Sequence, residues 1–224
     1  MPTVTELLQA RTSIRAFTDE PVGEEEVRQV LEAARWSPSG GNLQPWKVIV
    51  VAGEAKDEVS ALAQQTLAAN PFGEAGEHAI YPQPLGEPFR TRRFQVGEEM
   101  YALLGIPRED KVARLQHLAR NYAFFDAPVG LFFVIDRQMG HGQWAHLGMF
   151  MQSVALVAQE RGLSTCMQES WAMVRESLHA HFGLPAEDLL YCGMALGYAD
   201  EDAPVNRLRS ARAEVAEFAE LRGF

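Results

Sequence analysis

Two arginines and two hydroxyls fall within five residues in Arg11-Thr12-Ser13-Ile14-Arg15. A guanidinium fork matches phosphate or carboxylate geometry, and hydroxyls and backbone N–H groups can complete such a cradle. A second arginine pair follows in Asn206-Arg207-Leu208-Arg209, after the turn-rich stretch GYADEDAPV. The chain carries 30 Asp and Glu against 20 Lys and Arg, a net charge of −10. That balance repels polyanions and excludes nucleic acid as the main partner, but it leaves room for one bound phosphate. Arginines clustered in an acidic protein want a specific anion. A solvated surface pair balanced by Asp19 and Glu20 satisfies the same spacing.

Two more clusters offer polar groups beside apolar elements. In Ser37-Pro38-Ser39-Gly40-Gly41-Asn42-Leu43-Gln44-Pro45-Trp46 the glycine pair lets a planar ligand approach the backbone, and the Asn42 and Gln44 amides both donate and accept. A helix stop followed by a strand start uses the same residues. Gln168-Glu169-Ser170 ends a short apolar run. Four clusters of this kind point to one site assembled from distant parts of the chain. No dinucleotide fingerprint, phosphate-binding P-loop, zinc-protease helix or serine elbow is present. The six histidines are scattered and match no ligand spacing, so no metal is expected. Cys166 and Cys192 each lie in an apolar run, as buried thiols of a reducing compartment do.

The elements that position these clusters alternate helix and strand. Thr3 to Glu6 reads as a capping box opening a short helix, and 24–36 as a second helix with Val27, Val30, Leu31 and Ala34 on one face. Strands are expected at 46–51, 128–135, 163–167 and 189–196, and helices at 54–69, 89–104, 108–125, 146–159 and 174–181. From residue 211 the tail reads as amphipathic through Val215, Phe218 and Leu221. The stretch 70–88 is rich in Pro and Gly yet carries Phe72, Ile80, Tyr81 and Leu85, the mark of a lid or binding loop rather than a linker. No apolar run is long enough for a membrane span and the N-terminus does not read as a signal peptide, so the expected location is cytoplasmic. The 224 residues, 47% of them apolar, suit an α+β or α/β fold.

In order, the motifs are Arg11-x-Ser13-x-Arg15-x-Phe17, then Ala34 through Trp46 with its Pro38-Ser39-Gly40-Gly-Asn42-Leu-Gln44-Pro core. After them come Gly148-x-x-x-Gln152, Gly162-Leu163, Gly197-Tyr198 and Asn206 to Arg209. Together they resemble the nitroreductase family of FMN-dependent flavoproteins, over nearly the whole chain. The resemblance implies an α+β fold with a mixed central β-sheet flanked by helices, in an intertwined homodimer with FMN at the interface. It implies one domain over 1–224, with a variable loop and helical insertion at 70–125. On this resemblance Arg11, Thr12, Ser13 and Arg15 hold the ribityl phosphate, and Arg207 or, preferably, Arg209 completes the clamp. Pro38, Ser39 and Gly40 pass near the flavin from the partner subunit, supported by Asn42 and Gln44. Gln168, Glu169 and Ser170 face its N5 and O4 edge; the family often has Glu-Gly where this chain has Glu169-Ser170.

The activity implied is NAD(P)H-dependent reduction of nitroaromatic compounds by a ping-pong cycle, with hydride passing from NADPH or NADH to FMN N5 and then to the nitro group. FMN carries that chemistry, so no catalytic side chain is assigned. The expanded middle section resembles the nitrobenzoate and dinitroaromatic reductase branch, and Phe72, Tyr81 and Phe89 are expected to meet a small aromatic substrate. Arg90, Arg92 and Arg93 suit either a nicotinamide cofactor's phosphates, a carboxylated substrate or a solvated face. Quinones, enones or halogenated phenols as acceptors, or FMN binding without turnover, are the alternatives.

Overall fold

Along β2 (Val129–Asp136) and β4 (Asp188–Gly197) nearly every side chain is buried, so these strands have no polar face to turn to water. Both faces must therefore be covered, and both are. This computed structural model describes residues 2–74 and 79–224. Its sheet runs β1-β2-β4-β3, with β1 at Lys47–Ala52 and β3 at Ser164–Gln168, and each strand pair is antiparallel. The parallel component is a single bridge at the β3 edge, Ser13 to Thr165. Leu131, Phe133 and Ile135 alternate with Phe132 and Val134, feeding two separate cores.

The first core face is closed by α2 (Glu24–Ala34) and α6 (His141–Glu160). They bury Val27, Val30 and Ala34 from one helix and Leu147, Phe150, Met151 and Val154 from the other. The second face is closed by α3 (Gly53–Ala69), α7 (Arg175–His181) and the aromatic group Phe124, Phe132 and Trp171. The remaining helices are α1 (Val4–Ala10), α4 (Phe89–Leu103), α5 (Lys111–Ala119) and α8 (Val215–Phe218). The Thr3 capping box is present, Glu6 N–H donating to Thr3 Oγ1 at 3.2 Å and Thr3 N–H to Glu6 Oε2 at 2.7 Å. The α+β expectation holds, and both cysteines are buried free thiols.

Three expectations need correction. The helix over 108–125 is shorter: α5 ends at Ala119, and Arg120–Asp126 is a tight turn with φ of 52° at Phe124 and 54° at Phe125. The left-handed backbone there drives both rings into the core, where they are 0% and 1% exposed. Burial of two aromatic rings outweighs a conformational cost of roughly 1–3 kcal/mol per residue. Gly130 and Gly193 make room for this, since a Cβ at either would overlap the ring of Phe124 or Trp171. The tail is helical only over Val215–Phe218, and Val215, Phe218 and Leu221 stay 60–74% exposed, met by no apolar face among the described residues. Helix α6 begins at His141, about a turn and a half before the expected start at His146.

The 70–88 loop is tied down at its start. Glu74 accepts from the N–H groups of Glu176 and Ser177 at 2.8 and 3.1 Å, capping α7. Residues 75–78 of that loop lie outside the described residues. No helix among the described residues is long and apolar enough to cross a membrane.

Candidate functional site

The Arg11–Arg15 segment is extended rather than helical because it is stitched to the sheet edge. Ile14 N–H donates to Thr165 C=O at 3.0 Å, and Ser13 bridges Thr165. Asn206 fixes the other side. Arg15 N–H donates to Asn206 Oδ1 at 2.8 Å, while Asn206 Nδ2 donates to the carbonyls of Ala16 and Asp200 at 2.7 and 2.9 Å. One buried amide thus joins the two arginine-bearing segments, 191 residues apart in the chain.

The result is a cavity of about 410 Å³ lined by Arg11, Thr12, Ser13, Arg15, Arg209 and Arg212, with Leu8, Gln9, Val96, Leu208 and Ser210 around them. No carboxylate of the described residues lines it. Arg15 Nη1 donates to Ser13 C=O at 3.1 Å, and Arg209 Nη1 to Asn206 C=O at 2.9 Å. Arg212 donates to Ser210 and Ala211 within its own turn. These bonds orient the guanidinium groups without neutralising them. Partial burial, with Arg212 nearby, holds the Arg11 guanidinium below its usual range. Four like charges around one hollow, with no acid of the described residues among its walls, suit an anion. Behind it, burial pushes the Cys166 thiol up.

Arg207 is exposed and does not line this cavity. Arg209 does line it. Arg212 and Asn206 are additions. Asn206 carried a signal only as part of a polar run, and Arg212 carried none, because their roles come from contacts distant in the chain.

The 38–44 loop lines a different hollow of about 330 Å³, with Arg35, Trp36, Ser37, Pro38, Asn42 and Gln44. Its backbone coils tightly, with φ of 61°, 55° and 49° at Gly41, Asn42 and Gln44. Ser39 Oγ accepts from Gln44 N–H at 2.9 Å, and Gln44 Nε2 donates to Asn42 C=O at 3.3 Å. Gly40 packs on His146, whose Cε1 would sit 3.0 Å from a Cβ there. Trp46 then anchors the loop by stacking on Phe150, ring centroids 4.7 Å apart and nearly parallel. Within one chain this loop and the arginine cavity are not brought together.

Gln168 is 1% exposed and its side chain is committed inward. Its Nε2 donates to Asn121 C=O at 2.8 Å, and Trp171 Nε1 donates to its Oε1 at 3.3 Å. Ser13 pairs with Thr165, three residues before Gln168, so that segment lies roughly 10 Å along β3 from the cradle. Partial burial raises the Glu169 carboxyl. Ser170 Oγ is buried with no hydrogen-bond partner among the described residues, although its carbonyl accepts from Tyr122 at 3.1 Å.

Of the three expected substrate contacts, Tyr81 lines a cavity against α4, its ring 4.1 Å from the Arg93 guanidinium. Phe72 and Phe89 are 93% and 59% exposed and line none of the cavities described here. No group of three metal-ligating side chains occurs among the described residues.

The nitroreductase family model matches residues 8–198. The chain is 38% identical to a nitrobenzene nitroreductase of Ectopseudomonas oleovorans, covering 97% of this chain and 96% of that one. It is 36% identical to a 4-nitrobenzoate reductase of Pseudomonas putida, covering 97% and 95%. Among solved structures, it superposes on the FMN and NADPH-dependent nitroreductase NfnB from Sphigopyxis sp. strain HMH with a TM-score of 0.97, 43% identity and full coverage of both chains. Extended over nearly its whole length, this likeness joins the fold and the ordered motifs in one conclusion: the chain belongs to the nitroreductase family.

Proposed function

We propose that this protein is an FMN-dependent oxidoreductase that uses NADPH or NADH to reduce small nitroaromatic compounds. The observation that carries the reading is the cavity formed by Arg11, Arg15 and Arg209, with no carboxylate of the described residues in its walls. Its donor set suits the dianionic phosphate of FMN. The unpartnered Ser170 hydroxyl, in the segment expected to face the ring, adds a second point of fit. Relatives named for nitrobenzene, chloronitrobenzene and 4-nitrobenzoate support the acceptor class.

When bound, FMN supplies the redox chemistry between the nicotinamide and the nitro group. The protein's residues bind and orient. Arg11, Arg15 and Arg209 hold the phosphate, Thr12 and Ser13 add hydroxyls, and Asn206 keeps the two arginine segments in register. Arg207 lies outside the clamp. Pro38, Ser39, Gly40, Asn42 and Gln44 form a rigid wall, and Glu169 and Ser170, braced by the inward-turned Gln168, present the opposite edge. Phe72, Tyr81 and Phe89 offer exposed ring faces to an aromatic acceptor.

A homodimer completes this site. The 38–44 wall and the arginine cradle line separate hollows of one chain. Trp36, Leu43, Met149, Val215 and Leu221 leave apolar surface uncovered, from 47% to 80% exposed. The chain forms one domain over 1–224. Its 70–125 segment joins the common core through Tyr122, Phe124 and Phe125, and α5 is clamped to α4 by Arg114 and Glu98 at 2.6 Å. A cytoplasmic location agrees with two free thiols.

The purified protein is expected to be yellow, to release FMN on denaturation and to elute as a dimer. Anaerobic NADPH should bleach it, and nitrobenzene or 4-nitrobenzoate should restore the colour. A colourless protein that FMN cannot reconstitute overturns the reading.

A further inference from the structure

A second cavity of about 920 Å³ adjoins the arginine cradle, sharing Val96, Ser210 and Arg212 with it. It runs between α4 and the segment leading into α8, and its walls include Tyr81, Arg92, Arg93, Glu99, Glu217 and Phe218. Its volume suits a ligand much larger than an inorganic anion.

The three arginines on its walls differ in what they already hold. Arg92 pairs with Glu217 at 3.3 Å. Arg212 donates to the carbonyls of its own turn and faces both cavities. Arg93 has no hydrogen bond or ion pair to any described residue. Its guanidinium lies 4.1 Å from the centroid of the Tyr81 ring. A cation–π contact of that kind holds the guanidinium over the ring and leaves its N–H groups without partners among the described residues, and N–H groups are what read a phosphate. Phe218, 72% exposed on the same wall, offers a flat apolar face.

A guanidinium without a partner among the described residues, an aromatic face and a position beside the cradle describe a site for a purine nucleotide bearing a phosphate. Resting on the FMN reading above, we propose that this cavity receives the adenosine end of NADPH, with its 2′-phosphate on Arg93, assisted by Arg212. Arginine accommodates a ribose 2′-phosphate, whereas a carboxylate accepts from the 2′-hydroxyl of NADH. Glu99 lines the same cavity and has no hydrogen bond or ion pair to a described residue. Arg93 is therefore the residue that sets the choice towards NADPH, and its removal leaves Glu99 to favour NADH.

The test is calorimetric titration of the FMN-loaded protein with adenosine 2′,5′-bisphosphate and with 5′-AMP, beside NADPH and NADH steady-state kinetics. The wild type should bind the bisphosphate about tenfold or more tightly than 5′-AMP, as one charge-assisted phosphate contact provides. Arg93→Gln should erase that ratio and raise KM for NADPH relative to KM for NADH, with kcat changed far less. Arg93→Lys, which keeps the charge but loses the fork, should retain part of the preference. FMN content per chain is measured in each variant. Equal affinity for the two nucleotides in the wild type overturns the proposal. So does an Arg93→Gln protein that keeps its NADPH preference, or one that loses both nicotinamides equally while retaining FMN. A protein without FMN that still prefers the bisphosphate supports the subsite and removes the cofactor reading instead.

Discussion

Arg11, Arg15, Arg209 and Arg212 share one hollow, where burial and the like charge of Arg212 hold the Arg11 guanidinium below its usual range. That repulsion is the energetic signature of a binding site, because a protein gains nothing by crowding like charges without a ligand. Arg15→Ala is expected to weaken FMN binding by about 10–100-fold, the worth of one or two charge-assisted hydrogen bonds. Fluorescence titration of the apoprotein measures it. Arg207→Ala should leave the affinity within about twofold, since its side chain lies outside the cavity. Asn206→Ala removes three hydrogen bonds from the buried amide and leaves Arg15 N–H without its Asn206 partner. It should cost about 2 kcal/mol or more in denaturant unfolding and weaken FMN binding as well. The arginine cluster was legible in the sequence because its residues are neighbours. The Asn206 staple was not, because its meaning lies in contacts across 191 residues.

At the scale of elements, β2 and β4 hold the molecule together by filling two cores at once, and their apolar runs made them readable. What the runs could not show is the fit of ring against backbone. Gly193 on β4 lies directly under Trp171, and Gly130 on β2 under Phe124. Gly193→Ala is expected to destabilise the fold by about 1–3 kcal/mol, through displacement of a fully buried indole, and should shift the denaturant midpoint accordingly. The same packing explains why a helix over 108–125 fails after Ala119. Propensity continues the helix, but the Phe124 and Phe125 rings reach the core only from a left-handed turn. The loop at 38–44 shows the reverse case. Its Ser-Gly-Gly-Asn composition announced an irregular connection, and the structure gives one, held by Ser39 and stacked down by Trp46.

At the scale of the whole molecule, the buried His117 couples protonation to the stability of the fold. His117 on α5 is 7% exposed, packed against the rings of Tyr101 and Phe125. Burial, with Arg120 and Arg15 nearby, pulls its pKa down to about 4 from 6.5. The unfolded chain therefore takes up a proton that the folded one refuses. Stability from the neutral ring is complete above pH 6.5 and falls away as the pH drops towards 4, by up to about 3 kcal/mol. His117→Phe should flatten that part of the pH–stability profile, as followed by thermal or urea unfolding between pH 4 and 7. An undiminished slope in the variant would assign the acid sensitivity to other groups. The net charge of −10 sets the background for the site itself, since any phosphate must be drawn in by the local arginines against the repulsion of the whole.

On the proposed function, the arginine cradle reads the phosphate of a flavin mononucleotide. Comparing FMN with riboflavin on the apoprotein isolates that group, because the two ligands differ in nothing else. FMN should bind at least about a hundredfold more tightly, and Arg15→Ala should shrink the gap while leaving riboflavin affinity nearly unchanged. Equal binding of FMN and riboflavin by the wild-type protein would contradict the account.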